Sequence, residues 1–322
     1  MKATARAYAI QGLIKYHGLR NPRLRIPYHD SISVCMRSLP TVTTVESDGR
    51  YHSDIVRLDG RAPTRAELRR VEAVLDPLRK ARRRESAFLR IESRNPLVDG
   101  KGLGFSASGF AALGLAASTA IGMNIGFREL SQIVRQGAGS AARSLVGGFS
   151  IWYANKGGLS YAEQLASPDS LKLRTVIAPV PSTIKTDRAH EDAVKSPFYK
   201  PRLRYLPAKL RKMRQALSRR DVKTTCELAE EDTLNLHAIT MTGREGMVLF
   251  SPLSIVIINE VRRLREEEGV PVWFSLDTGP SVFANTTPEA LPKVRKSLSN
   301  IADDLIVSAP GGPAQLIDKH LF

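Results

Sequence analysis

Apolar and polar residues alternate through Thr4–Ile14, Ser31–Arg37 and Thr41–Glu46, and a period of two predicts strands there. Tyr51–Leu58 reads as an edge strand and Phe88–Ser93 as a further strand. Between them Leu68, Val71, Leu75 and Leu78 recur at helical spacing. They follow Thr64-x-x-Glu67, a capping-box signature, so a helix is predicted to about Arg84. Phe127–Gln136 is amphipathic through Leu130, Ile133 and Val134, and Gly147–Asn155 reads as a strand. Lys172–Ala178 reads as a strand that opens a second lobe. Helices are expected at about 202–219 and, with Asp221 as N-cap, at 222–235. Ser251-Pro252 starts another helix with proline at its first position, and Gly269 ends it. Val270–Ser275, Val282–Ala284 and Leu305–Ser308 read as strands, and Pro288–Asn300 as a helix. Pro179–Pro201 is a long polar connection holding Lys185, Arg188 and His190; loops of that length are often functional.

Strands and helices therefore cluster in mixed order, with no internal repeat. That order predicts an α+β fold with helices on antiparallel sheets, not a doubly wound parallel sheet. The expected division is an N-terminal lobe over 1–171 and a C-terminal lobe over 172–322.

One stretch breaks the alternation in a different way. Lys101–Ala120 opens with Gly102, Gly104, Ser106, Ser108 and Gly109, then runs through Ala, Leu and Gly without a charge. Glycine allows positive φ and a close backbone approach, and the hydroxyls add donors. An apolar run of this kind reads as a buried helix, whose N-terminus offers free N–H groups and a positive dipole end. Such a loop suits an anion, most often phosphate. It does not match G-x-x-x-x-G-K-[ST], so a P-loop nucleotidase is not expected.

Composition narrows the classes. The 322 residues are 42% hydrophobic and 25% charged, enough for a sizeable core. No uncharged apolar run reaches the ~20 residues that span a bilayer. The N-terminus has no signal-peptide pattern, so a cytoplasmic protein without membrane association is expected. Cys35 and Cys226 stand far apart with no CxxC, which predicts neither a metal site nor a disulfide framework. The net charge is +16, which fits nucleic acid, a membrane surface or a polyanionic small substrate. Much of it sits in 79–84 and 200–220, on expected helices without interleaved aromatics. With only 6% aromatic residues a base-stacking platform is not expected, so nucleic acid is set aside as a partner.

Four segments carry a resemblance: GLIKYHG (12–18), GLGFSASGFAA (102–112), GAGSAARSLVGGF (137–149) and SLDTGPSVFAN (275–285). Each resembles its counterpart, in family order, in the mevalonate diphosphate decarboxylases of the GHMP kinase superfamily. PYHDSIS, VPVWFSLDTGPSVFANTT and GGPAQLIDKHLF resemble the archaeal phosphomevalonate branch more closely still. The resemblance implies a two-lobed α+β fold with the active site between the lobes. It implies a carbon–carbon lyase acting on a phosphorylated mevalonate: the tertiary 3-hydroxyl is phosphorylated by ATP, then phosphate and CO2 leave. A homodimer is a further implication.

By the same resemblance Arg143 grips the substrate carboxylate, Lys15 faces the oxygens at C3, and Asp277 acts near C3. Ser140 donates to the substrate, Tyr16 positions it, and Ser106 and Ser108 line the phosphate loop. Lys185 and Arg188 are further candidates for substrate binding. Gly102 and Gly104 would bind ATP, with Mg²⁺, if ATP is used. His190 and His237 are read as ordinary histidines. Three positions depart from the family pattern. Leu19 stands where a second lysine is usual and Ala138 where a serine is usual, which argues for a 5-monophosphate over a diphosphate. Phe105 stands where a serine is usual in the loop around the ATP phosphates. Either Phe105 turns into the core, or the enzyme takes preformed mevalonate 3,5-bisphosphate and needs no nucleotide. The second option is the narrow preference, giving isopentenyl phosphate, CO2 and phosphate; ATP-dependent phosphomevalonate decarboxylation is the alternative, and diphosphomevalonate decarboxylation comes third.

Overall fold

The computed structural model describes residues 1–82, 88–95, 103–181 and 186–322. The chain opens with β1 (Lys2–Ile14), whose buried positions face the core along most of its length. A two-stranded hairpin follows, β2 (Leu19–Asn21) with β3 (Ile26–Pro27). The two strands expected over 31–46 are one, β4 (Ser31–Ser47). It passes Pro40 through an irregularity in which Tyr8 pairs with Pro40 and Ile10 with Cys35. The displaced segment is held from outside the pair, since Arg37 N donates to Ala309 O and Gly311 N to Cys35 O.

Next come β5 (Ile55–Leu58), α1 (Arg65–Arg82) and β6 (Leu89–Arg94). The capping box ahead of α1 forms: Thr64 N donates to Glu67 Oε2 and Glu67 N to Thr64 Oγ1. Then follow α2 (Phe105–Ala120), α3 (Phe127–Gly137), α4 (Ala141–Val146), β7 (Phe149–Trp152) and β8 (Ala162–Ala166). The first sheet runs β1–β4–β6–β5, with β7 on the other half of β4 and β8 on β7; β5 and β6 pair in parallel and the other pairs are antiparallel among the described residues.

The second sheet starts with β9 (Arg174–Ala178). The polar connection expected over 179–201 contains α5 (Thr186–Ala193), a helix that its mixed residues do not announce. After it come α6 (Tyr199–Ser218) and α7 (Val222–Met241), the latter capped by Asp221, which accepts from Thr224 N. The helix α8 (Pro252–Glu266) begins at the Ser251 capping box. The chain then forms β10 (Val272–Ser275), β11 (Val282–Thr286), α9 (Leu291–Leu298) and β12 (Ile306–Ser308), giving an antiparallel sheet in the order β10–β11–β9–β12. The tail then leaves that sheet. A last short strand, β13 (Gln315–Leu316), pairs with β1 on the first sheet.

The mixed α+β architecture is as the element order implied. One core lies between the first sheet and α1–α3, where alanines of α2 allow close approach; a Cβ on Gly114 would meet Val134 Cγ1 at 2.2 Å. A second core fills the second sheet's face against α8 and α9. A third joins β1, β4 and β7 to α6 and α7, and so ties the two sheets together.

Candidate active site

A cleft of about 720 Å³ opens where the end of β1, the starts of α2 and α4, the helix α5 and the turn after β10 converge. The turn brings Asp277 to β1. Its carboxylate accepts from the Gly12 N–H, at 3.0 Å to Oδ1 and 3.2 Å to Oδ2. Gly12 must lack a side chain, because a Cβ there would stand 2.8 Å from Asp277 Oδ1 and 2.7 Å from Lys15 Cγ. Burial pushes the Asp277 carboxyl above its usual range, against the pull of Lys15, the Gly12 hydrogen bond and Arg143.

Lys15 is buried beside it. Its ammonium donates to Thr233 Oγ1 at 2.9 Å, Ser275 Oγ at 3.0 Å and Ala229 O at 3.3 Å. These three acceptors match its three donors, so Lys15 acts on the cleft through its charge more than through a free N–H. Burial lowers its pKa, opposed by Asp232 and Asp277. The strand end is fixed from α6 and α7: Lys15 N donates to Asp232 Oδ2, Arg202 donates to Lys15 O, and Arg202 and Asp232 pair at 2.9 Å inside the protein.

Arg143 projects from the one-and-a-half turns of α4. It is 3% exposed, yet its Nε and Nη1 have no hydrogen-bond partner among the described residues. Its guanidinium lies 5.5 Å from the Tyr16 ring and 5.9 Å from Trp152. Burial lowers its hold on the proton, with Tyr16 and Asp277 opposing. A desolvated fork without an acceptor is costly to keep, and a carboxylate between its nitrogens would satisfy it in bidentate fashion. Tyr16 stands edge-on to Trp152 at 4.9 Å and stacks on His190 at 4.7 Å. Gly139 makes room for that cluster, since a Cβ there would lie 2.5 Å from Tyr16 Oη. Ser140 lies on the cleft at the start of α4 with no side-chain capping bond.

At the Gly/Ser loop the helix begins earlier than the composition indicates. Gly104, at φ 70°, is the N-cap, and Phe105 already belongs to α2. Gly104 and Ser106 line the cleft. Ser108 does not; it is fully buried, 2.6 Å from Thr41 Oγ1, because a helical residue three positions into α2 points back to the sheet. Phe105 is divided: it borders the cleft and also packs on the apolar cluster that holds Leu103 and Leu13. Gly102 and Lys185 lie outside the described residues. Arg188 is not on the cleft; its side chain is 68% exposed and paired with Glu245 at 2.5 Å. Its helix turns it outward.

Other side chains at the site escaped the sequence reading. His190 lines the cleft, and burial holds its pKa down at about 4, so it is neutral near pH 7. His17 links α5 to the turn: its ring contacts Ala189 O at 3.3 Å and Thr278 Oγ1 at 3.0 Å. Arg25 and Arg70 also face the cleft. The sequence reading placed the charge excess at 79–84 and 200–220 and singled out neither of these two arginines. His237 is stacked on Phe250 with neither ring nitrogen bonded among the described residues.

The chain that carries this cleft matches known proteins along nearly its whole length. Residues 7–162 match the family described as the diphosphomevalonate decarboxylase-like N-terminal domain, and 180–305 match the mevalonate 5-diphosphate decarboxylase C-terminal domain. The phosphomevalonate decarboxylase of Haloferax volcanii is 40% identical over 320 residues, 99% of this chain and 98% of that protein. The diphosphomevalonate decarboxylase of Danio rerio is 30% identical over 87% of this chain and 75% of its own. Among solved structures, the mevalonate diphosphate decarboxylase of Enterococcus faecalis has a TM-score of 0.91 at 28% identity, covering 99% of each chain. That of Staphylococcus aureus has a TM-score of 0.92 at 27% identity over 98% of each. The fold and site thus define a carboxy-lyase on the GHMP kinase scaffold. The chain belongs to the mevalonate-pathway decarboxylases.

Proposed function

We propose that the substrate is a mevalonate carrying a single phosphate on its 5-oxygen, and that the product is isopentenyl phosphate. The observation that carries the carboxylate step is the buried, unpaired guanidinium of Arg143. It holds the C1 carboxylate so that the C1–C2 bond can break in concert with loss of the C3 oxygen as phosphate. The C1–C2 electron pair becomes the C2=C3 double bond, the C3–O pair leaves with phosphate, and CO2 departs. Developing positive charge at C3 falls beside the Asp277 carboxylate, whose charged form Lys15 favours and burial disfavours. The 5-monophosphate reading rests on two apolar positions: Leu19 packs against the Tyr16–Trp152 cluster, and Ala138 borders the cleft as a methyl group. The name of the Haloferax relative agrees with it.

The 3-phosphate has two sources. The first is ATP bound at the start of α2, where Gly104 and Ser106 would meet its phosphates; when bound, ATP supplies the phosphoryl group for the 3-oxygen. Packing of Phe105 on the apolar cluster favours this source, because part of the ring bulk is taken out of the cleft. The second is preformed mevalonate 3,5-bisphosphate, with no nucleotide; the part of Phe105 that borders the cleft favours it. The test is CO2 release from mevalonate 5-phosphate with ATP and Mg²⁺ beside mevalonate 3,5-bisphosphate alone. Turnover only of the monophosphate with ATP supports the first source, and turnover of the bisphosphate alone the second. If neither releases CO2, the 5-monophosphate reading fails. Phe105→Ser should tighten nucleotide binding under the second source and change it less than about threefold under the first, as read by calorimetry with ATP.

A further inference from the structure

The end of β1 and the residues after it meet the β10 end and the turn that follows it at three points. Gly12 N–H holds the Asp277 carboxylate, and the Lys15 ammonium bonds Ser275 Oγ. The third contact is His17, whose Nε2 lies 3.0 Å from Thr278 Oγ1. Its Nδ1 lies 3.3 Å from Ala189 O of α5. The residue is fully buried, and its own carbonyl accepts from Tyr199 Oη of α6 at 2.8 Å. Gly18, at φ 80°, makes room for that tyrosine, because a Cβ there would collide with its hydroxyl.

These partners fix the tautomer. A carbonyl oxygen only accepts, so Nδ1 carries the proton. Burial holds the His17 pKa well below its ordinary value, so the ring carries one proton and Nε2 is an acceptor. The Thr278 hydroxyl therefore donates to Nε2. Its rotation is locked, and its oxygen is left as an acceptor on the cleft that Thr278 borders. Hydroxyl, imidazole and carbonyl in line have the layout of an activated nucleophile. The surroundings oppose that use. The His190 ring of α5 stands 4.7 Å away, and His190, Arg202 of α6 and His237 of α7 all disfavour a second proton on His17. An imidazole that cannot keep a proton orients its partner and does not activate it.

We propose that His17 is a positioning residue for the Asp277 turn: as its neutral Nδ1–H tautomer it locks the Thr278 hydroxyl and ties the turn to α5. The proposal rests on the role of Asp277 in the reaction above. Gly12 fixes the carboxylate itself, and His17 fixes the backbone one residue further on. Without the second contact the turn is free to pivot about the Gly12 bond, and a misplacement of about 1 Å at a reacting group costs on the order of 10²-fold in rate.

The experiment is a double-mutant cycle on the full chain. It is read as CO2 release from mevalonate 5-phosphate with ATP and Mg²⁺, and from mevalonate 3,5-bisphosphate alone. Thr278→Val keeps the shape and removes the hydroxyl; His17→Phe keeps a ring and removes both bonds. Each should lower kcat by about 10- to 50-fold on whichever substrate the wild type turns over, with KM changed by less than about threefold. The double variant should lose no more than the slower single one, since both break the same contact. His17→Gln, which offers an acceptor near the Nε2 position, should fall between wild type and His17→Phe. Thr278→Val with wild-type kinetics overturns the proposal, and so do additive losses, which mean that each residue acts alone. A raised KM in Thr278→Val without a lowered kcat makes Thr278 a substrate contact and also overturns it. If His17→Gln is as slow as His17→Phe and both lose the acid limb of the pH profile, His17 takes a proton and the positioning role is wrong. Where melting by circular dichroism shows that His17→Phe does not fold, Thr278→Val and His17→Gln decide by the same criteria. Asp277→Asn separates the two readings. Wild-type activity in that variant removes the role of Asp277 and the proposal with it, whereas a slow Asp277→Asn beside additive losses removes the positioning alone.

Discussion

Arg143 carries its charge inside the protein with two nitrogens unbonded among the described residues. A group kept at that cost serves a ligand better than it serves the fold. Arg143→Met should therefore hold or raise the melting temperature while kcat/KM falls by about 10²–10⁴; calorimetric melting and a CO2 assay check the two halves. Asp277 gives a pH prediction. Burial raises its pKa, so the fold disfavours the charged form that the proposed reaction uses. Activity should fall as pH drops through a value above the usual carboxylate range, and Asp277→Asn should remove that acid limb together with about 10³ in rate. The sign for stability is the reverse of a salt-bridged carboxylate: the cost appears as pH rises from the unfolded-state value through the folded one. At this scale the sequence was legible where a residue type has one evident use. Arg143 and Asp277 were named from their motifs and lie on one cleft. Ser108, named from its motif, and Arg188, named from the long polar connection, lie off it, because facing direction depends on where a helix starts.

The elements meet at the site through residues with no side chain. Gly12 lets β1 pass between Asp277 and Lys15, and its N–H fixes the carboxylate. Gly12→Ala should destabilise the fold by about 1–3 kcal/mol and cut kcat by at least tenfold, since the added methyl must push Asp277 or Lys15 aside. Denaturant titration and steady-state kinetics would show both effects together. Element boundaries were legible where capping chemistry marks them: Thr64–Glu67, Asp221 and Ser251 each begin a helix as expected. They were not legible at α5, where a short polar helix reads as a loop, or at Pro40, where a proline that normally breaks a strand is carried by an irregular register.

Across the whole molecule, one buried ion pair ties the helices of the second half to the first strand. Arg202 and Asp232 bond each other and also hold the backbone of Lys15 on both sides. Breaking a pair of this kind leaves an uncompensated buried charge. Arg202→Met should cost about 3–5 kcal/mol in urea unfolding, and it should lower kcat because Lys15 loses its anchor. The tail does similar work in the other direction, returning from the second half to place β13 on β1 and Gly311 against Cys35.

The sequence by itself determined the α+β class, the order of most elements, the family and the two motif residues that define the cleft. These depend on local patterns: periodicity, caps, glycine spacing and short motifs. Tertiary structure decided that one lysine spends its donors on α7 and β10, that a histidine and two arginines from separate elements join the site, and that Phe105 is divided between core and cleft. Those facts depend on which distant surfaces meet. Burial and unpaired charge are properties of the assembled chain, and no local pattern encodes them.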